Sequence, residues 1–143
     1  MNTFDPASIP RHAVISLPFQ FSGSAYRILK FFVVLGHRKG HAICLKATSQ
    51  VDIYLNNKDQ MSGCVFYQAG KVKCFKNDTA IQPDNQIPIS HGHLKAAQAK
   101  AELQIMGILP TDFEEKLRKA IQNSVTISGR EKKRILEMLD ALE

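Results

Sequence analysis

The chain has no tryptophan, only three cysteines, and no apolar run longer than the five residues Phe31 to Leu35. Each shortage excludes something. A membrane-spanning helix needs about 20 consecutive apolar residues, so none is expected and no membrane partner with it. The cysteines stand at 44, 64 and 74, an odd count that argues against a disulfide framework and for a reducing cytosol. They are expected as small buried apolar residues. The opening Met1-Asn2-Thr3-Phe4-Asp5-Pro6 has neither a basic segment nor an apolar one, so no secretory signal is expected and the chain reads as cytoplasmic. With 44% apolar and 22% charged residues over 143 positions, enough remains for one ordinary core, with or without an appendage.

Charge is scarce in one sign and in one place. Residues 1–95 hold 11 Lys/Arg against 5 Asp/Glu, which carries the whole net charge of +6, whereas residues 96–143 hold 8 against 8. All five histidines also precede residue 95. A basic portion joined to a neutral one points to a polyanion, RNA or DNA, at the first part. The plainer alternative is solubility alone.

Two textures meet near Ser90. Before it, short β-branched and aromatic runs alternate with turn residues, the pattern of a small barrel or sandwich. Strands are expected near 13–17, 30–36, 42–48, 51–55, 64–67, 72–76 and 86–89. His37-Arg38-Lys39-Gly40 reads as a tight hairpin turn with Gly40 at positive φ. Ala69-Gly70 and Asn77-Asp78 are further turns. After Ser90 the period becomes helical. Leu94, Ala97, Ala101 and Ile105 predict one helix, which Leu109-Pro110 breaks. Thr111 with Glu114 and Ser128 with Glu131 read as capping boxes. Behind them Phe113, Leu117 and Ile121, then Ile135, Leu139 and Leu142, form apolar stripes. The expected fold class is mainly β: a small antiparallel barrel domain over 1–95, then amphipathic helices over 96–143. Those helices pack on the barrel or serve a partner.

A strand alternates its faces, so within 42–48 Ile43, Leu45 and Ala47 are expected in the core and Cys44, Lys46 and Thr48 on an open face. Lys30 stands at the solvent end of the preceding strand. If the two strands pair through the 37–40 turn, Lys30 and Thr48 share one end of the hairpin. A cation beside a hydroxyl suits a phosphodiester, the cation holding the phosphate and the hydroxyl donating to an oxygen. A lysine-protected edge strand would look the same. Lys71, Lys73 and Lys76, with Phe75 and Tyr67 close by, mix cations and aromatics, and Lys71, Lys73 and Phe75 share one face of the strand expected at 72–76. They are either part of a single-strand RNA groove or a buried Phe75 beside solvated lysines. His91 and His93 lie at the sheet-to-helix junction, where one or other serves as an acid/base or both are capping or solvent-exposed residues. No C-x-x-C occurs and His37 and His41 flank a turn, so no metal or other cofactor is expected.

Four segments together resemble the PemK/MazF-like toxins. Val14-Ile15-Ser16-Leu17-Pro18-Phe19-Gln20-Phe21-Ser22-Gly23-Ser24 is similar to that family's opening strand, its Pro-Phe-x-Phe element and the loop after it. Lys30-Phe31-Phe32-Val33-Val34-Leu35 stands where the family has a basic group and an apolar strand. Ala47-Thr48-Ser49 looks like its hydrophobic-Thr-Ser element, and Asp84-Asn85-Gln86-Ile87-Pro88-Ile89-Ser90 like its late strand. The similarity covers about residues 12–95. It implies an SH3-like barrel, a homodimer, and metal-independent cleavage of single-stranded RNA, neutralised by a cognate antitoxin. By position it also implies Lys30, Thr48 and Ser49 as catalytic residues, and beside them Arg27, Lys46, Lys71, Lys73 and Phe19 are the expected substrate-binding residues. Lys30 replaces the family's Arg and Phe31 its Pro, and lysine lacks the planar fork that grips two phosphate oxygens. Arg27, three residues earlier, is a substitute guanidinium by proximity alone. The same barrel without catalysis, holding nucleic acid or protein, is the alternative.

Overall fold

A computed structural model describes residues 4–19, 28–57, 61 and 63–142. Its strands are β1 (Ala13–Phe19), β2 (Ile28–Arg38), β3 (His41–Thr48), β4 (Val65–Tyr67), β5 (Thr79–Ser90) and β6 (Gln104–Ile108). They make one antiparallel sheet, ordered β4-β5-β3-β2-β1-β6 and curled into a half-barrel. A short helix α1 (Asp52–Leu55) follows β3. Three helices lie toward the C-terminus: α2 (His91–Ala99), α3 (Phe113–Asn123) and α4 (Gly129–Ala141). The chain is therefore mainly β with C-terminal helices.

The β2–β3 hairpin turns on two residues, Lys39 at φ 49° and Gly40 at φ 78°. Both central positions are left-handed, as a type I′ turn requires to match the twist of its strands. The unbroken apolar run of β2 is divided between two cores. Val33 and Leu35 join Val14, Leu45, Phe113, Leu117, Ile121, Ile135 and Leu139 on one side of the sheet. Phe32 and Val34 join Ile15, Leu17, Cys44, Leu94 and Ala97 on the other. This corrects the open face expected for Cys44, Lys46 and Thr48. Cys44 is fully buried because α2 and the turn at Ile9 cover that side, and Lys46 and Thr48 are half-buried.

Several local expectations give way to longer-range structure. Residues 52–55 form a helical turn rather than a strand, and 72–76 is a set of turns. The helix predicted through Ile105 ends at Ala99. There Ala101 adopts φ 56°, its N–H donates to the Gln98 carbonyl, and the Glu102 N–H donates to the Ala97 carbonyl at 2.9 Å. That paired arrangement is a Schellman stop with alanine where glycine is usual. The chain then forms β6 on the open edge of β1, so the sheet draws a strand from beyond residue 95. Thr111 is not the cap of α3: the N-cap is Asp112, with no side-chain cap bond. Ser128 does cap α4, its hydroxyl accepting the Glu131 N–H at 3.2 Å.

Candidate functional site

The register of the hairpin sets the site. Phe31 lies opposite Ala47, so one step further Lys30 falls opposite Thr48. At this end the sheet opens into a cleft of about 440 Å³. Lys30 enters it from β2, and Thr48, Ser49 and Gln50 from the end of β3. Lys76 and Asn77 enter from the turns before β5, and Met106 from β6. The Ser16 hydroxyl donates to the Met106 sulfur at 3.8 Å, which ties β6 to that wall. Leu29 and Phe31 add apolar surface.

Two features govern what this cleft can hold. Among the described residues its lining has two lysines and no carboxylate, so a negative ligand is favoured. The Thr48 hydroxyl accepts the Gln50 N–H at 3.1 Å, which fixes its oxygen and leaves its own O–H to donate. A phosphoryl oxygen is a fitting acceptor. Cys74 also lines the cleft, but burial pushes its thiol up, with its own backbone hydrogen bond partly opposing, so it stays protonated at neutral pH. No histidine, aspartate or glutamate of the described residues lines the cleft.

The structure brings Lys30, Thr48 and Ser49 together and separates the other candidates from them. Lys46 pairs across from Phe32 at the place where β5 shifts register, outside the cleft lining. Lys71 lines a different, shallower groove with Tyr67 and Lys116, where Asp112 offsets the positive charge. Lys73 is exposed and lines neither. Phe75 is a core residue, 2% exposed, though its edge reaches the cleft. With no strand at 72–76, the face expected to unite Lys71, Lys73 and Phe75 does not exist. Arg27 lies outside the described residues. Phe19 closes β1 opposite Ile28, and its side chain is outside the described part.

Sequence reasoning grouped Lys76 with Lys71 and Lys73, from which the structure separates it, and passed over Asn77, for which the one available signal was the Asn77-Asp78 turn. The histidines serve elsewhere. His37 is buried, and its Nε2–H donates to the Ile9 carbonyl at 2.8 Å. Its Nδ1 is then the acceptor for the Nε2–H of His91 at 2.9 Å. His91 is thus tied into the base of α2 rather than placed at the cleft. His93 gives its backbone N–H to the Ser90 hydroxyl at 3.0 Å, the N-cap of α2. Among the described residues, no three or more His, Cys, Asp or Glu side chains gather as a metal site, and no helix is long and apolar enough to cross a membrane.

Comparison with known proteins returns no matching family model and no matching curated sequence.

Proposed function

We propose that the chain is a cytoplasmic, metal-independent endoribonuclease of the PemK/MazF type, built on an SH3-like barrel and acting on single-stranded RNA. The observation that carries the reading is the meeting of Lys30, Thr48 and Ser49 in one cleft that no carboxylate of the described residues lines. In the reaction the 2′-oxygen forms a bond to phosphorus and the bond to the 5′-oxygen breaks, leaving a 2′,3′-cyclic phosphate. The 2′-hydroxyl proton passes to solvent. The departing 5′-oxygen takes a proton from water, while the Lys30 ammonium holds the phosphate as charge builds on it. Thr48 and Ser49 donate to the phosphoryl oxygens as charge builds there. DNA lacks the attacking hydroxyl and is spared. The same reading brings a homodimer and a cognate antitoxin as partners. The free edge of β6, with Ile105 52% and Ile108 61% exposed, is an apolar surface suited to a protein partner.

A second reading has its own support. Without a histidine or carboxylate among the described lining residues, no side chain there is a ready general base, which favours a cleft that binds RNA without cutting it.

Incubating the pure protein with a long unstructured RNA, with and without EDTA, separates these. Cleavage at equal rates in both, ending in cyclic phosphates and absent on 2′-O-methyl RNA, is the expected result. Binding without cleavage transfers the assignment to the second reading. Loss of activity in EDTA that zinc or magnesium restores would overturn metal independence.

A further inference from the structure

The turns of residues 68–78 are held at both ends and in the middle. The Ala69 N–H donates to Asp78 Oδ1 at 2.8 Å, closing the base of the loop. The Gly70 N–H donates to the Phe75 carbonyl at 3.1 Å, and the Phe75 N–H to the Val72 carbonyl at 2.9 Å. Phe75 plugs the core against Tyr67, with ring centroids 6.0 Å apart. Thr79, 5% exposed, anchors the far side and donates its hydroxyl to the Asn77 carbonyl at 2.9 Å. Between these two buried anchors the chain must surface, and the residues that surface into the cleft are Lys76 and Asn77. A loop fastened in this way presents its side chains with little entropy left to lose on binding.

We propose that Lys76 and Asn77 form a second wall of the RNA site, Lys76 holding a backbone phosphate and Asn77 reading the edge of the adjoining base. This rests on the reading of the cleft as an RNA site and adds to it a subsite with its own contacts. A cleft that takes a nucleotide meets a phosphate on either side of the sugar, and Lys30 from β2 supplies a cation for one of them. Lys76 comes from a different element and supplies the other. Single-strand grooves combine cations along the backbone with apolar or aromatic surface for the bases. Leu29, Phe31 and Met106 provide that surface here. The Asn77 amide offers both a donor and an acceptor, the pairing a base edge presents in turn.

The test uses a labelled single strand of 2′-O-methyl RNA, which cannot be cut, titrated with the full chain at several salt concentrations. The parent, Lys76→Ala, a Lys71→Ala/Lys73→Ala double variant and Asn77→Ala are compared, with thermal midpoints measured alongside. Lys76→Ala is expected to bind more weakly and to lower the slope of log affinity against log salt by about 0.7, one phosphate contact on a single strand. The double variant is expected to keep the parent slope. Asn77→Ala is expected to keep the slope while narrowing the differences in affinity among homopolymers of the four bases. If the parent binds and Lys76→Ala matches it in slope, the second wall is refuted while the RNA site stands. A double variant that loses as much slope as Lys76→Ala also refutes it, since any surface lysine would then serve. If the parent binds no RNA at all, both fall together.

Discussion

Two residues apart on β3, Lys46 and Thr48 are both half-buried, yet Thr48 lines the cleft and Lys46 does not. At the residue scale, position within the sheet matters more than residue type. The histidines show this as well. Burial holds the His91 imidazole below its usual range, His37 and His41 add to the effect, and Asp5 opposes it. His12 is held low by burial and Arg11, against Glu114. A histidine with a lowered folded pKa takes up its proton more readily when unfolded. Stability is therefore complete above the reference value of 6.5 and declines as pH falls through it. Thermal midpoints measured from pH 8 down to pH 5 should be flat at first and then drop, well above the carboxylate range. His91→Asn should show a shallower drop. An identical profile for parent and variant would remove His91 from this explanation.

At the scale of elements, local pattern was a good guide where local forces decide the outcome. The hairpin at Lys39-Gly40, the cap at Ser128 and the stripes of α3 and α4 were all legible, each being set by residues within one or two turns. The end of α2 was not. No glycine or proline stands at 100–102, so the apolar period reads straight through to Ile105. What stops the helix is the open edge of β1, whose backbone groups β6 satisfies. Ala101 bears the strain of that stop at φ 56°. An alanine in the left-handed region costs about 1 kcal/mol that glycine avoids. Ala101→Gly should accordingly raise stability in denaturant titration, by up to about 1 kcal/mol after the entropy glycine adds to the unfolded chain. A loss of stability would mean the turn at Ala101 is not formed. The turn at Ala69-Gly70 was legible, but the middle of the 68–78 segment was not, for a related reason. Lys71, Lys73 and Phe75 alternate as a strand would, but the bond from Ala69 to Asp78 closes the segment on itself.

Across the whole molecule, the uneven charge acquires a structural meaning. In the neutral C-terminal portion the charges answer one another along and between helices: Lys116 with Asp112, Lys119 with Glu115, and Arg118 with Asp140 at 2.7 Å. Such exposed pairs add little stability, but they leave little net field. The basic portion instead places Lys30 and Lys76 in a cleft with no carboxylate of the described residues. The five-residue run of β2 belongs to two cores, one under α3 and α4 and one under α2, which hold the strand from both sides and carry Lys30 to the sheet's open end. Half of the site was thus legible, in the Lys30, Thr48 and Ser49 that strand register brings together. The other half depended on how distant turns close. The most direct measurement is RNA cleavage by Thr48→Ala and Lys30→Arg beside the parent, with thermal midpoints recorded for all three. Thr48→Ala should lower the rate by about 10²–10³, the loss expected when one donor to a developing oxyanion is removed. Its stability should fall by no more than about 1 kcal/mol, the net worth of the Gln50 N–H bond to the lost hydroxyl. Lys30→Arg should match or exceed the parent, because it restores a bidentate grip on phosphate. A Thr48→Ala protein that cuts RNA at the parent rate would contradict the assignment of the cleft as the active site.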